Sequence, residues 1–278
     1  MSIYLEKNVL NLEKEKKVPK IGILNLMPNK IETEIHFLNL LSQVSIDIYI
    51  YFIRLESYIP KNCSFKYLKD NYITLKDIEN DFLDGLIITG APLELKEFED
   101  VEYWQELSSI MEFSKKNIKS TIYICWGALA GFYYHYGIPK YNLEEKVFGV
   151  FPHNVLNKNH RLLKGFDDEF LVPHSRYSLV REEDIRKEKG LEILSTSDET
   201  GIFLVSDKGC NKIFLTGHLE YESETLKKEY ERDTKLGKPI KMPKYYSYKD
   251  DLNTKLKSRW RAHATLFYTN WIHEYLIR

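Results

Sequence analysis

The chain has 278 residues, of which 43% are hydrophobic and 29% charged, with 40 Lys and Arg against 41 Asp and Glu for a net charge of −1. This length and mixture suit one large α/β domain or two small ones, with a sizeable core, and the near-zero balance excludes the basic footprint that nucleic acid or an anionic membrane calls for. No apolar run reaches the roughly 18 residues of a membrane span, and three scattered cysteines, Cys63, Cys125 and Cys210, fit a reducing cytoplasm better than a disulfide framework or a metal site.

In chain order, the opening MSIYLEKNVLNLEKEKK is too charged for a secretory signal. KIGILNL (20–26) and DIYIYFIRL (47–55) are short apolar runs that read as buried strands, with helical spacing between them in KIETEIHFLNLLSQ (30–43). GLIITGA (85–91) and TIYIC (121–125) repeat the pattern around a helix in VEYWQELSSIMEFSKK (101–116). LEILSTSD and GIFLVSD, ahead of KIFLTGH (212–218), read as an antiparallel extension, and SETLKKEYERDTKLG (223–237) as a further helix. The Lys- and Tyr-rich stretch 238–258 has no period and reads as a surface loop. Strands alternating with helices predict a mainly parallel sheet covered on both faces. No Gly/Ser/Pro linker and no internal repeat interrupts the chain, which predicts one domain over 1–278.

In open α/β sheets chemistry gathers at the carboxyl ends of strands. Three such ends carry unusual residues here: Gly90-Ala91-Pro92, Cys125 and His218. STIYICWGALAG (120–131) runs a β-branched stretch into a thiol and then into Gly127, Ala128, Ala130 and Gly131. Small residues after the cysteine allow a sharp turn and close packing of helix on sheet, the logic of a nucleophile elbow. A helix N-terminus or a histidine then makes the thiol a useful nucleophile. TGHLEY supplies the histidine, His218, and two residues on a carboxylate, Glu220, suited to fix its tautomer. A cysteine packed as a small hydrophobe is the plain alternative for Cys125 alone; the three strand-end residues together favour a Cys-His-Glu triad. Cys63 and Cys210 lie in turn-like contexts with no partnered histidine in view. His36, His135, His160 and His273 read as surface or packing positions.

These segments resemble the homoserine O-acyltransferase (homoserine trans-acylase) family. The likeness rests on LNLMPNKIETE (24–34), DGLIITGAPLE (84–94), YICWGALAG (123–131), YGIPK (136–140), EEKVFGVFPH (144–153), VPHSRY (172–177), TGHLEY (216–221), YERD (230–233) and SRWRAHATLFYTNW (258–271), in family order from about residue 20 to 272. Two departures, RAHATLF where the family more often has a Ser-His-Gly-Asn run and a chain that stops at EYLIR, bear on the outer wall of the pocket and on the oligomer.

The resemblance implies a three-layer αβα, class I glutamine amidotransferase-like (flavodoxin-like) fold and an acyl group carried as a thioester. It places the nucleophile at Cys125, the base at His218 and its carboxylate at Glu220. It also implies substrate contacts at Lys146, Ser175 and Arg232, which by their sequence setting alone would be a surface lysine, a turn serine and an exposed helix arginine. A guanidinium suits the carboxylate of an amino-acid acceptor. Lys30 opens a helix where a cation opposes the dipole, which makes a site role reasonable. The backbone N–H of Trp126 and one near Gly90–Ala91 are the expected oxyanion donors.

Glu94, in TGAPLE, is the position that in this family separates acyl donors, glutamate going with acetyl and glycine with succinyl. A succinyl carboxylate about 4 Å from Glu94 costs roughly 1 to 4 kcal/mol, so acetyl-CoA is the expected co-substrate and L-homoserine the acceptor. No bound cofactor and no metal are expected. The partners in view are these small molecules, with a second copy of the chain as the one macromolecular partner. L-Serine as acceptor, succinyl-CoA as donor, a glutamine amidotransferase-like hydrolase and a non-catalytic binding module are the competing readings.

Overall fold

The computed structural model describes residues 3–5, 18–60, 62–78, 83–247 and 256–278. Among these, ten strands form one sheet: β1 (Ile3–Leu5), β2 (Lys20–Leu24), β3 (Ile48–Ile53), β4 (Leu83–Ile88), β5 (Ile118–Ile124), β6 (Tyr141–Val155), β7 (Glu169–Leu179), β8 (Leu191–Ser197), β9 (Gly201–Asp207) and β10 (Lys212–Leu215). Their spatial order is β1-β3-β2-β4-β5-β10-β9-β8-β6-β7. From β1 to β10 every pairing is parallel; from β10 through β9, β8 and β6 to β7 every pairing is antiparallel.

The parallel half follows from composition. All six residues of β4 are buried, as a strand with helices on both faces requires. On one face α1 (Lys30–Leu41) and α8 (Arg261–Trp271) bring Phe37, Leu41, Phe267 and Trp271 against Ile23, Ile87 and Ile122. On the other, α4 (Trp104–Asn117) and α5 (Trp126–Tyr136) bring Leu107, Met111 and Phe132 against Leu86, Ile88 and Tyr123. These are the three expected layers. No described helix is long and apolar enough to cross a membrane.

Two parts of the chain differ from the sequence reading. EEKVFGVFPH and VPHSRY belong to long strands, β6 and β7, so the antiparallel half holds four strands. The stretch read as a surface loop is irregular and mostly exposed over 238–247, but it is a strap anchored to the sheet at Lys244 and Tyr246. Val150 N–H donates to the Lys244 carbonyl at 2.9 Å, and Lys244 N–H to the Phe148 carbonyl at 3.0 Å. A side chain at Gly149 would meet the Lys244 carbonyl at 2.5 Å, and its φ of +148° is one that L residues avoid. Tyr246 is fully buried with Phe148, Val150, Leu226 and Trp260. Charge and aperiodicity hid this because the strap pairs through its backbone and buries one aromatic rather than a face. Residues 248–255 lie outside the described residues.

Candidate active site

The carboxyl ends of β4, β5 and β10 adjoin, and the three residue groups expected there come together. Cys125 caps α5 at φ 52°, ψ −115°. That sparsely populated conformation costs about 1 to 3 kcal/mol and is characteristic of functional turns. Its N–H donates to the Leu215 carbonyl of β10 at 2.7 Å, and its carbonyl accepts from Ala128 and Leu129 at 3.0 and 3.2 Å. The small residues are steric requirements. A Cβ at Gly127 would stand 2.6 Å from the Thr89 carbonyl oxygen, and one at Gly131 2.8 Å from the Tyr123 ring.

His218 Nδ1 lies 2.6 Å from Glu220 Oε1, and the imidazole stacks on Tyr221 with ring centroids 4.0 Å apart. A Cβ at Gly90 would lie 3.3 Å from that of Cys125 and 3.6 Å from His218 Cε1, so the loop after β4 closes directly over the pair. Burial alone would lower the affinity of His218 for a proton. The Glu220 carboxylate, the Cys125 charge and hydrogen bonds to both reverse this and raise its pKa well above the usual value. With Nδ1–H committed to Glu220, Nε2 is left for the sulfur.

A cavity of about 380 Å³ opens on Cys125 and His218 and is lined by Met27, Gly90, Glu94, Lys146, Ser175 and Arg232 among others. Lys146 comes from β6, within the irregular stretch of its pairing with β7 between Asn142 and Val147, and Ser175 from β7 opposite Phe148; neither is the surface or turn residue of the plain reading. Lys146 Nζ donates to Glu229 Oε1 at 2.5 Å and lies 3.7 Å from Asp233 Oδ2. Ser175 Oγ–H donates to the same Glu229 oxygen at 2.7 Å. Arg232, on α7 (Thr225–Lys235), reaches Asp233 Oδ1 at 2.8 Å and Glu229 at 3.6 Å while its side chain stays 58% exposed.

Glu229 and Asp233 were not anticipated, although Glu229, Arg232 and Asp233 fall at i, i+3 and i+4, one face of a helix. Glu94 is half-buried on the cavity wall. Its pKa is raised: burial is the largest cause and the Glu229 carboxylate adds to it, against the opposing pull of its own backbone N–H, Lys146 and His218.

Lys30 does open α1, but its ammonium donates to the Asn25 carbonyl and does not line the cavity. Burial foremost lowers its pKa to about 8. Trp126 is the first residue of α5, so its N–H has no intrahelical acceptor. Cys210 does have an imidazole neighbour, His160 Nε2 at 3.7 Å, which corrects the reading of it as unpartnered. Among the described residues no cluster of three or more His, Cys, Asp or Glu is arranged to hold a metal ion.

The chain matches the family described as Homoserine O-succinyltransferase over residues 4–278. It is 46% identical over 277 residues to a protein of Bacillus cereus (strain AH187) named Homoserine O-acetyltransferase, covering 98% of this chain and 92% of that one. It is 50% identical over 254 residues to Homoserine O-acetyltransferase 1 of Ilyobacter polytropus, covering 91% and 84%. Among solved structures, a glutamine amido transferase from Methylobacillus flagellatus superposes with a TM-score of 0.57 at 12% identity over 93% of this chain and 95% of that one. That likeness shows a class I glutamine amidotransferase-like fold.

Proposed function

This chain belongs to the homoserine O-succinyltransferase family and is an acyltransferase, and we propose that it moves an acetyl group from acetyl-CoA to the hydroxyl of L-homoserine through a thioester on Cys125. The observation that carries this reading is one cavity with two walls: Cys125 and His218 on one, and the Lys146, Ser175, Glu229 and Arg232 cluster on the other.

The Cys125 sulfur attacks the carbonyl carbon of the acetyl thioester. The carbon–sulfur bond to CoA breaks, and the departing thiolate takes the proton held on His218. The N–H of Trp126 and one near Gly90–Ala91 are set to receive the negative charge on the carbonyl oxygen. The homoserine hydroxyl then attacks the acetyl-enzyme while His218 Nε2 removes its proton, held in orientation by Glu220. Collapse expels the Cys125 thiolate and releases O-acetyl-L-homoserine. Arg232 binds the acceptor carboxylate, and Glu229, tied to Lys146 and Ser175, offers negative charge for its ammonium.

The family's description and the names of the relatives differ in the acyl group. Glu94 favours acetyl, because a succinyl carboxylate about 4 Å away would cost roughly 1 to 4 kcal/mol. Homoserine over serine rests on a single methylene, about 1 to 3 kcal/mol of discrimination. The reading takes 1–278 as one catalytic domain acting in the cytoplasm on small molecules for methionine synthesis, with no bound cofactor.

Intact-protein mass spectrometry after mixing with acetyl-CoA or succinyl-CoA, without acceptor, tests it. The expected result is an acetyl adduct on Cys125 that homoserine discharges and serine does not. A succinyl adduct would overturn the role given to Glu94, and discharge by serine would replace the acceptor. No adduct from either donor would bring forward the hydrolase chemistry of the amidotransferase-like fold.

A further inference from the structure

Arg176 is among the largest fully buried side chains of the protein, only 2% exposed. Its donors all end on neutral acceptors: the Ser178 carbonyl at 2.8 Å, the Thr200 carbonyl at 2.5 Å and His174 Nδ1 at 3.4 Å. No carboxylate among the described residues forms an ion pair with it.

The neighbours supply no negative charge either. His174 Nδ1 accepts from Arg176, so its Nε2 carries the proton and donates to His153 Nε2 at 3.1 Å. His153 Nδ1–H then ends on the Phe151 carbonyl at 2.9 Å, and Thr200 Oγ1 sits 3.1 Å from His153 Nε2. The chain of bonds closes with both imidazoles neutral, as burial demands of them. One guanidinium charge is left over in the interior, and an unpaired buried charge costs several kcal/mol unless an opposite charge is near.

The place of this chain names the opposite charge. His218 N–H donates to the Pro173 carbonyl at 2.8 Å, so the turn bearing the imidazole rests on β7 just before His174 and Arg176. A Cβ at Gly217 would be 2.8 Å from His174 Cε1, so nothing separates the two. The same turn is joined to Cys125 through the Leu215 carbonyl. Burial lowers the guanidinium to about 10, with the charge of Cys125 acting in the other direction.

We propose that Arg176 is the buried counter-charge of the Cys125 thiolate, a positioning residue that never touches substrate and keeps the sulfur ionised ahead of the acyl donor. This rests on Cys125 being the nucleophile. It accounts for a polar chain buried inside β6 and β7 where apolar side chains would pack at less cost. The other charged or titratable groups around the sulfur are His218, Glu220 and Tyr221 after β10, Glu94 after β4, and Lys146, Glu229, Arg232 and Asp233 across the cavity, with His174 and His153 behind the turn; all are retained in the variants below.

The test is alkylation of the whole chain by iodoacetamide without substrate, in which the sulfur displaces iodide. Cys125, Cys63 and Cys210 are read separately by peptide mass. In R176M the Cys125 rate at about pH 6 is expected to fall about tenfold or more while the rate at about pH 9 stays within about twofold. R176K, which keeps the charge, should stay within about threefold of the parent at both. A folded R176M with the parent's ratio of rates would leave Arg176 a purely structural role. Should R176M not fold, R176Q keeps a donor for the Thr200 carbonyl and gives the same comparison. A third measurement needs no Arg176 variant: C125A, which strands the guanidinium, is expected to melt below the parent at about pH 8, and an equal or higher melting point would overturn the proposal. Acetylation of the parent by acetyl-CoA separates the outcomes. An adduct with an unchanged ratio of rates sinks only this inference, whereas no adduct sinks the reading of Cys125 itself.

Discussion

Cys125 and Cys210 invite comparison because their immediate descriptions are nearly the same. Both are buried, both hold φ at 52°, and each has an imidazole close to its sulfur. The difference lies one bond further out. His160 Nδ1 accepts the Leu162 N–H at 3.3 Å, so Nε2 already carries the proton as it faces Cys210. That imidazole can donate to the sulfur but cannot take a proton from it through Nε2, and burial lowers its affinity for a second. His218 is wired the other way. Its Nδ1–H is held by Glu220, and Nε2 is open toward Cys125. Burial pushes the Cys210 thiol up, in a turn between β9 and β10 that none of the cavities described reaches. A thiol, a histidine and a strained backbone are therefore insufficient; the partner of the far nitrogen decides.

The largest effect expected from this contrast is on turnover. Cys125→Ala should lower kcat at least about 10⁴-fold with the fold retained, whereas Cys210→Ala should leave kcat within about twofold. Steady-state assays on the two variants check it, and a large loss from Cys210→Ala would break the comparison. Next comes the orienting group. Glu220→Gln swaps an acceptor for an amide able to present N–H to Nδ1, which favours the wrong tautomer, and should cost about 10² to 10⁴ in kcat with KM little changed. His160→Gln should cost less than about threefold. Equal losses in the two would mean that tautomer control is not what separates the sites.

Glycines sharpen the contrast at the level of packing. Two residues after Cys125, a methyl at Gly127 meets backbone carbonyls at 2.6 and 2.9 Å; one residue before Cys210, a methyl at Gly209 meets only the Asn211 side-chain oxygen, at 2.5 Å. Backbone cannot rotate away and a side-chain amide can. Gly127→Ala should therefore cost about 1 to 3 kcal/mol of unfolding free energy and displace the elbow, while Gly209→Ala stays within about 1 kcal/mol. Denaturant titrations of the two variants measure the difference.

The legible part of this molecule is the part built by alternating apolar strands and amphipathic helices, and the triad was legible because its members sit where such strands end. β6 and β7 were not, for a physical reason. Their inward side chains include His153, His174 and Arg176, satisfied by one another and by carbonyls, so no hydrophobic alternation marks the buried face. Lys146 and Ser175 came only from resemblance, since their burial depends on Glu229 of α7, 83 and 54 residues away. Glu229 itself lies in a run of charges that reads as a solvated helix face. Side chains that owe their burial to a distant polar partner leave no local periodicity to detect.

The smallest expected effect concerns pH, where the two kinds of histidine have opposite signs. Burial holds His153 and His135 to about 3, and His174 well below its usual value. Groups with a lowered folded pKa contribute stability that is fully present above the unfolded value of about 6.5 and is lost as pH falls toward the folded value, at up to about 1.4 kcal/mol per pH unit each. His218, raised instead, contributes below its unfolded value and loses that contribution only as pH rises through the folded one. Between about pH 6.5 and 5, above the usual carboxylate range, the fall in stability should therefore come from the neutral imidazoles behind and beside the site. In His153→Gln, whose amide can still bond the Phe151 carbonyl, the slope over that window should flatten by up to about 1.4 kcal/mol per pH unit, and in His218→Asn it should not. Urea titrations at several pH values give both slopes. An unchanged slope in His153→Gln would mean that this imidazole gains its proton without unfolding the protein, and the neutral chain from Arg176 to Phe151 would then be wrong.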